Sequence, residues 1–351
     1  MQQKANIIYF TGTGNSARVC GVLGGVFEDA GYEVSVISIE DVKPDGVGEA
    51  DLRVFAFPVY ACSVPSVFID WMRKLPRNNG AKAALISVFG SLDVNEKIPG
   101  YDGQALLQAK SLLEDKGFDV FFGDGTGYPF NVPVSGGVPD EEKSKAILEK
   151  ADETIRNIGV RIVAGEKYFK KCSWFNEAWS KLFGLLYAAV GRRWIGKLYA
   201  ADDSCVKCGL CIKSCPVHTI NSKLGNIRWK WNCEGCQRCV NICPKKSINL
   251  TPARIIISLA LSFMPWDSWI ISLCNINAAV NESGGAAIFL RLGFWAAGFV
   301  GAALAADSVL FLLESTPGIG KLLRTGFMKK FARYTAPGFK PGKSYDNRKK
   351  S

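Results

Sequence analysis

The sequence predicts an α/β protein in its first half, a doubly wound parallel sheet, followed by a small cysteine-rich domain and a C-terminal apolar helical hairpin with a basic tail. Three observations carry this. Strand-like and helix-like runs alternate from residue 5 to residue 163, the signature of a parallel sheet with crossover helices. Two runs of four cysteines repeat one spacing between residues 205 and 244. Two apolar stretches of about 20 residues, the length that spans a bilayer, follow from residue 255.

The first strand is the Ile-rich run 5–10. The turn Thr11-Gly12-Thr13-Gly14-Asn15-Ser16 follows, then a helical pattern with Val19, Val22, Leu23, Val26 and Phe27, stopped by Gly31. Such a turn sets backbone N–H groups and hydroxyls at a helix N-terminus, where the dipole favours an anion. It lacks the Gly-Lys-Ser/Thr ending of a nucleoside-triphosphate loop and the G-x-G-x-x-G of a dinucleotide fingerprint. Hydroxyl donors without a lysine suit the phosphate monoester of a small cofactor. Further strands are expected at 32–39, 52–57, 83–89 and 118–122. Helices are expected at 64–75 with Pro65 near its start, at 103–116 ended by Gly117, and at 141–163. Ligands bind such sheets at the carboxyl ends of the strands. The loops 11–16, 58–64 and 90–101 fall there.

The cysteine runs are Cys205-x2-Cys208-x2-Cys211-x3-Cys215-Pro216 and Cys233-x2-Cys236-x2-Cys239-x3-Cys243-Pro244, an internal repeat offset by 28 residues, with Ile220 matching Ile248. Three thiolates three residues apart suit corners of one [4Fe–4S] cube, and in this pattern the fourth ligates the other cluster. Crossed ligation is therefore expected: Cys205, Cys208, Cys211 and Cys243 for one cluster, Cys233, Cys236, Cys239 and Cys215 for the other. Gly209 and Gly235 relax the loops. A zinc ribbon needs two Cys-x2-Cys pairs and leaves a doubled four-Cys run unexplained; disulfides are the third reading. Thiolates that hold iron imply a reducing compartment. Residues 1–4 lead straight into a strand, so no secretory signal is expected. The other thiols, Cys20, Cys62, Cys172 and Cys274, read as small buried hydrophobes. The lone histidine, His218, receives no catalytic role.

Residues 166–201 read as a linker with Trp174, Phe175, Trp179, Leu182, Phe183, Leu186, Tyr187 and Val190 at helical spacing. It is either a helix packed across the domain boundary or a membrane-surface helix with Arg192, Arg193 and Lys197 at headgroups. The apolar hairpin occupies 253–315, with stretches at 255–274 and 286–313. The loop between them has no Lys or Arg, whereas Lys245, Lys246 and Arg254 precede the first stretch and the basic tail follows the second, the positive-inside pattern for two spans with both ends cytoplasmic. Pro265 and Asp267 interrupt the first stretch, so an interfacial or re-entrant hairpin competes, and a soluble helical hairpin is the third reading. Of the net charge of +11, residues 321–351 carry +9, ten Lys or Arg against Asp346. So local an excess argues against a nucleic-acid-binding domain and for a tail (316–351) resting on anionic lipid.

The three sheet-end loops together resemble the flavodoxin family over about residues 5–163. The resemblance implies that Thr11, Gly12, Thr13, Gly14, Asn15 and Ser16 hold the phosphate of flavin mononucleotide. It further implies that Tyr60, in Pro58-Val59-Tyr60-Ala61-Cys62, contacts the flavin ring, that Phe89-Gly90-Ser91 begins the third loop with Gly90, and that Cys62 stands beside the flavin. Residues 202–250 resemble the bacterial-type two-cluster ferredoxins, which implies a small α+β domain with two [4Fe–4S] clusters. The pairing, together with 103–107, 117–118 and Tyr128-Pro129-Phe130-Asn131, resembles the fused flavodoxin–ferredoxin proteins of anaerobic bacteria and archaea. The resulting domain map is 1–165 flavodoxin-like, 166–201 linker, 202–250 ferredoxin, 253–315 hairpin and 316–351 tail. No acid–base pair, nucleophile or open metal site defines a substrate. The expectation is an electron carrier at the cytoplasmic face of the cell membrane, between unidentified redox proteins or a quinone, with a purely cytoplasmic location as the alternative. A flavin-dependent quinone reductase is the second reading. An iron–sulfur carrier with a flavin-free docking domain is the third.

Overall fold

A computed structural model describes residues 2–95, 101–135 and 137–341. The first half is built from β1 (Lys4–Tyr9), α1 (Asn15–Asp29), β2 (Glu33–Ser38), β3 (Leu52–Pro58), α2 (Ser66–Arg73), β4 (Lys82–Ser91), α3 (Ala105–Asp115), β5 (Asp119–Pro129), α4 (Glu141–Val163) and β6 (Tyr168–Phe169). Every pairing is parallel and the order is β2-β1-β3-β4-β5-β6. This is the flavodoxin-type doubly wound order, with its switch point between β1 and β3. Alternate residues of each strand feed opposite cores. Ile7 and Tyr9 enter the core under α1 and α4, and Ile8 and Phe10 enter the one under α2 and α3.

Three features depart from the sequence expectation. The second strand ends at Ser38, and the connection to β3, to which no element was assigned, carries the short turn Pro44–Gly46, where Pro44, Gly46 and Gly48 break any longer helix. Strand β5 runs on past Phe122 to Pro129, through Gly123, Gly125 and Gly127, which erase the strand signal. Those glycines are there for clearance: a Cβ on Gly125 would collide with Ser87 of β4. Finally, β6 lies inside the stretch assigned to the linker and pairs with β5.

The linker then forms α5 (Trp174–Leu186), a π turn (Tyr187–Gly191) and α6 (Arg192–Leu198). The small second domain comprises β7 (Tyr199–Ala201), α7 (Leu210–Lys213), β8 (Ile220–Lys223), β9 (Asn226–Trp229), α8 (Arg238–Ile242) and β10 (Ile248–Leu250). Strand β7 pairs antiparallel with β10, and β8 with β9. The expected linker thus supplies an edge strand to each domain. The repeat shows in the backbone as well. Left-handed residues recur at the 28-residue offset: Lys207 and Gly235, Gly209 and Gln237, His218 and Lys246. Each of these pairs places a side chain where glycine is the easy choice.

The hairpin consists of α9 (Pro252–Ser262), α10 (Trp266–Leu273), α11 (Asn277–Glu282) and α12 (Ala287–Glu314), and α13 (Ile319–Arg324) follows. The first expected span is not one helix. α9 and α10 are bent by 56°, because Pro265 cannot donate to the helical ladder. The Trp266 indole N–H satisfies the freed Leu261 carbonyl at 2.7 Å. By length and composition α12, of mean hydropathy 1.9, is able to cross a membrane. Its C-terminal third is docked on the second domain. Asp307 binds Lys197 at 2.7 Å, Arg228 at 2.9 Å and Arg254 at 3.0 Å, and Glu314 takes Arg254 at 2.7 Å. Residues 287–306, beyond this network, make about 30 Å of helix, the thickness of a hydrocarbon core. Asp307→Asn strips Lys197 and Arg228 of their carboxylate and should cost about 3–5 kcal/mol. Thermal unfolding in detergent checks this; an unchanged Tm would mean that the network holds nothing together.

The basic tail is not free as far as residue 341. Arg324 binds Asp203, Lys329 reaches Asp202 at 3.2 Å, and Met328, Tyr334 and Ala336 are buried. Three side chains of this part thus pack against protein, while Lys321, Lys329, Lys330 and Lys340 remain exposed. Lys343, Arg348, Lys349 and Lys350 lie outside the described residues.

Candidate functional site between the phosphate loop and the cysteine repeat

A cavity of about 250 Å³ opens at the carboxyl ends of β1, β3, β4 and β5. Its walls include Thr11, Gly12, Thr13, Asn15 and Ser16 of the first loop, Pro58 to Ala61 of the second, and Phe89 and Gly90 of the third. Pro129, Phe130, Asn131 and Val132 at the end of β5 close another side. The remaining wall comes from elsewhere in the chain: Tyr187 and Ile195 from the linker helices, and Gly235 and Gln237 from the second cysteine run.

The first loop is prepared for an anion. Gly14, at φ 106°, stands at the N-cap of α1, whose first turn has no acidic side chain. Only glycine holds that conformation cheaply. Thr11 Oγ1 accepts from Gly14 N–H at 3.0 Å and Thr13 Oγ1 accepts from the Asn131 amide at 2.6 Å. Each hydroxyl therefore keeps its own proton to donate. Ser16 Oγ is buried with no hydrogen-bond partner. A buried orphan donor at a helix N-terminus is costly unless something accepts from it. These residues fit a phosphate.

Tyr60 stands where the loops meet. A Cβ on Gly12 would come within 2.5 Å of Tyr60 Oη and 2.6 Å of the Cys236 carbonyl, so the phosphate loop, the tyrosine and the second cysteine run are in direct apposition. Tyr60 Oη is buried without a partner. Burial first, then the charges of Cys236 and Glu234, raise its pKa well above the ordinary phenol value, so it remains a neutral donor. Gly90 leaves room for the Phe130 ring. Ala61 and Cys62 are both left-handed, at φ 47° and 64°, a strained pair that turns the second loop. The turn carries Cys62 away from the cavity to pack against Gly103, so Cys62 does not stand beside the candidate flavin position.

Two devices lock the domains together. Arg238, 2% exposed, donates to the carbonyls of Thr11 (2.6 Å), Gly12 (2.9 Å) and Ser214 (2.8 Å), and pairs with Glu40 at 2.5 Å. By holding the carbonyls of the phosphate loop it leaves that loop's N–H groups to the other side. The C-terminal segment then crosses the loop. Ala336 N–H donates to the Thr13 carbonyl at 2.8 Å, Tyr334 Oη donates to Asn15 Oδ1 at 2.9 Å, and Phe339 packs over Gly14.

The eight cysteines gather in two places. Cys205, Cys208, Cys211 and Cys243 line one cavity, and Cys215, Cys233, Cys236 and Cys239 line the other. Cys215 Sγ accepts from Thr219 N–H and Cys243 Sγ from Ser247 N–H, both at 3.4 Å and related by the repeat offset. Burial and then neighbouring thiols push Cys211 up to about 11, and burial pushes Cys236 up to about 12. Bare thiols here stay protonated at neutral pH; a cationic iron core would favour the thiolates. No three of the described His, Cys, Asp or Glu groups are disposed to hold a single metal ion. Elsewhere Cys20 is buried, as expected, but Cys62 and Cys172 are half-buried and Cys274 is exposed. His218 is exposed.

Residues 197–244 match a protein-family model described as a 4Fe-4S dicluster domain. Among solved structures, the chain is similar to a flavodoxin from the domain Archaea, at 18% identity over 47% of this chain and 99% of that one, with a TM-score of 0.34. A two-electron reduced flavodoxin of Megasphaera elsdenii gives 22% identity over 42% and 98%, with a TM-score of 0.28. General stress protein 14 of Treponema denticola, solved in complex with FMN, gives 13% identity over 46% and 98%, with a TM-score of 0.31. No curated protein matches the chain.

Sequence reading placed the first loop, Tyr60, Gly90 and all eight cysteines at these sites. It assigned Tyr187 only to the linker's apolar stripe and gave no role to Ile195, Gln237 or Arg238. Gln237 had one legible signal, its position opposite Gly209 in the repeat. The others carry none, since only folding brings residues as far apart as Gly12 and Arg238, 226 positions, into contact. Arg192 and Lys197 do not face headgroups, because Glu234 (3.1 Å) and Asp307 take them.

Proposed function

We propose that this chain relays electrons between a flavin mononucleotide and two [4Fe–4S] clusters at the cytoplasmic face of a membrane. One observation carries the reading: a single cavity has the phosphate loop on one wall and Gly235 and Gln237 of the second cysteine run on another. When bound, a flavin exchanges electrons singly or in pairs while each cluster exchanges one, so their union converts two-electron into one-electron chemistry. The chain's own residues supply position. Thr11, Thr13 and Ser16 donate hydroxyls and the α1 N-terminus supplies N–H groups to the phosphate. Tyr60 and Phe130 shape the cavity, and Arg238 fixes the spacing between the first loop and the cluster loop. Cys215, Cys233, Cys236 and Cys239 ligate the cluster nearer this cavity, and Cys205, Cys208, Cys211 and Cys243 the farther one.

The membrane part rests on α12 and on the lysine- and arginine-free connection 275–286. A quinone reductase is the second reading, favoured by Tyr187 and Ile195, which bring the linker helices to the cavity wall; turnover of a soluble quinone analogue tests it.

Protein purified without oxygen should contain about eight iron per chain and one extractable flavin mononucleotide. Thr13→Val with Ser16→Val removes two donors and should abolish flavin retention while leaving the iron. Full flavin in that variant would sink the phosphate site. Iron without flavin in the native chain, even after incubation with excess, would leave a cluster carrier on a flavin-free docking domain.

A further inference from the structure

Helix α5 is built inside out. The side it turns to the protein is small and polar: Ser180 is fully buried, its hydroxyl 3.0 Å from Tyr101 Oη, and a Cβ on Gly184 would collide with Ser63. The opposite arc carries Trp174, Phe175, Trp179, Leu182, Phe183 and Leu186. Trp174 is 80% exposed, Phe175 66% and Trp179 60%. A helix at a water-covered surface turns its apolar stripe inward; α5 does the reverse over about half of its circumference. Contiguous apolar faces of this kind mark an interaction surface.

Two observations identify what covers it. The face is continuous with the hairpin. Through the π turn the helix runs into α6, whose Trp194 stacks on Phe299 of α12 with ring centroids 5.1 Å apart. The rim is basic. Between residues 167 and 193 the exposed charges are Lys167, Lys171, Lys181 and Arg193 against Glu177 alone. Aromatic side chains with a cationic rim suit the boundary between headgroups and acyl chains of an anionic bilayer.

We propose that α5 lies in the plane of an anionic bilayer, with Trp174 and Trp179 at that boundary. The inference rests on the membrane reading of the hairpin and deepens it. The same helical run presents Tyr187 and Ile195 to the cavity wall, so α5 and its continuation set the cavity about one helix diameter, ~10 Å, from lipid. The π turn makes this possible: it shifts the register between Leu186 and Arg192, so that Tyr187 reaches Gly235 while Val190 remains outside.

The test uses the full chain in liposomes of phosphatidylcholine with phosphatidylglycerol, first in flotation and then with brominated acyl chains as quencher. Native protein is compared with Trp174→Phe/Trp179→Phe, which keeps the face apolar and isolates the emission of these two residues by difference. Flotation with loss of most of that emission, the quenching but not the flotation being weaker without phosphatidylglycerol, is the expected result. Flotation with the difference emission unquenched would overturn the in-plane placement while leaving the hairpin in the membrane. A chain that fails to float overturns both.

Discussion

Cys215→Ala is expected to empty the cavity formed with Cys233, Cys236 and Cys239, although Cys215 belongs to the other run. On the proposed crossed ligation, in which the fourth thiolate of each run serves the other cluster, iron should fall from about eight to about four per chain. Double variants make the assignment strict. Combined with Cys236→Ala, no further iron should be lost, since both residues line one cavity. Combined with Cys208→Ala, which lines the other, nearly all iron should go. Uncrossed ligation reverses the two outcomes. Electron paramagnetic resonance of the reduced protein gives a second readout, because the magnetic interaction between two clusters disappears when one is missing.

Arg238→Met should have the largest effect on the union of the two domains. The guanidinium is buried and carries three backbone carbonyls and a carboxylate. Methionine keeps much of the volume and none of the donors. Removing one partner of such a pair leaves Glu40 and the carbonyls uncompensated, at about 3–5 kcal/mol. The native chain should unfold its first two domains together, and the variant in two steps, with flavin released in the earlier one. Arg238→Lys keeps the charge without the planar fork and should fall between. A cycle with Glu40→Gln isolates the pair. Single-step unfolding of Arg238→Met at the native temperature would mean that the domains are held by something else.

How far the sequence could be read depended on the range of the interaction. The phosphate loop is a local device: its glycines, hydroxyls and following helix lie within a few residues, so Thr11 to Ser16 were legible. The cysteine repeat was legible for the same reason, with each spacing set by one tight loop. Strand β5 beyond Phe122 was not, because Gly123, Gly125 and Gly127 answer to Ser87, Ser91 and Phe169 on neighbouring strands, and glycine spaced for clearance looks like a turn. The bend at Pro265 was written in the sequence as a warning, whereas its angle depends on packing against α12.

The sequence by itself determined the alternating α/β core, the anion-ready loop, the two four-cysteine runs and the apolar hairpin, since each follows from the period or spacing of nearby residues. Tertiary structure alone decided that the second run meets the phosphate loop across one cavity, that Arg238 and the segment from Tyr334 to Phe339 bind the domains, and that α5 shows its apolar side outward. These contacts join residues up to 319 positions apart. No local pattern encodes such a meeting. It arises when burial, charge pairing and unsatisfied backbone groups from distant elements are resolved together.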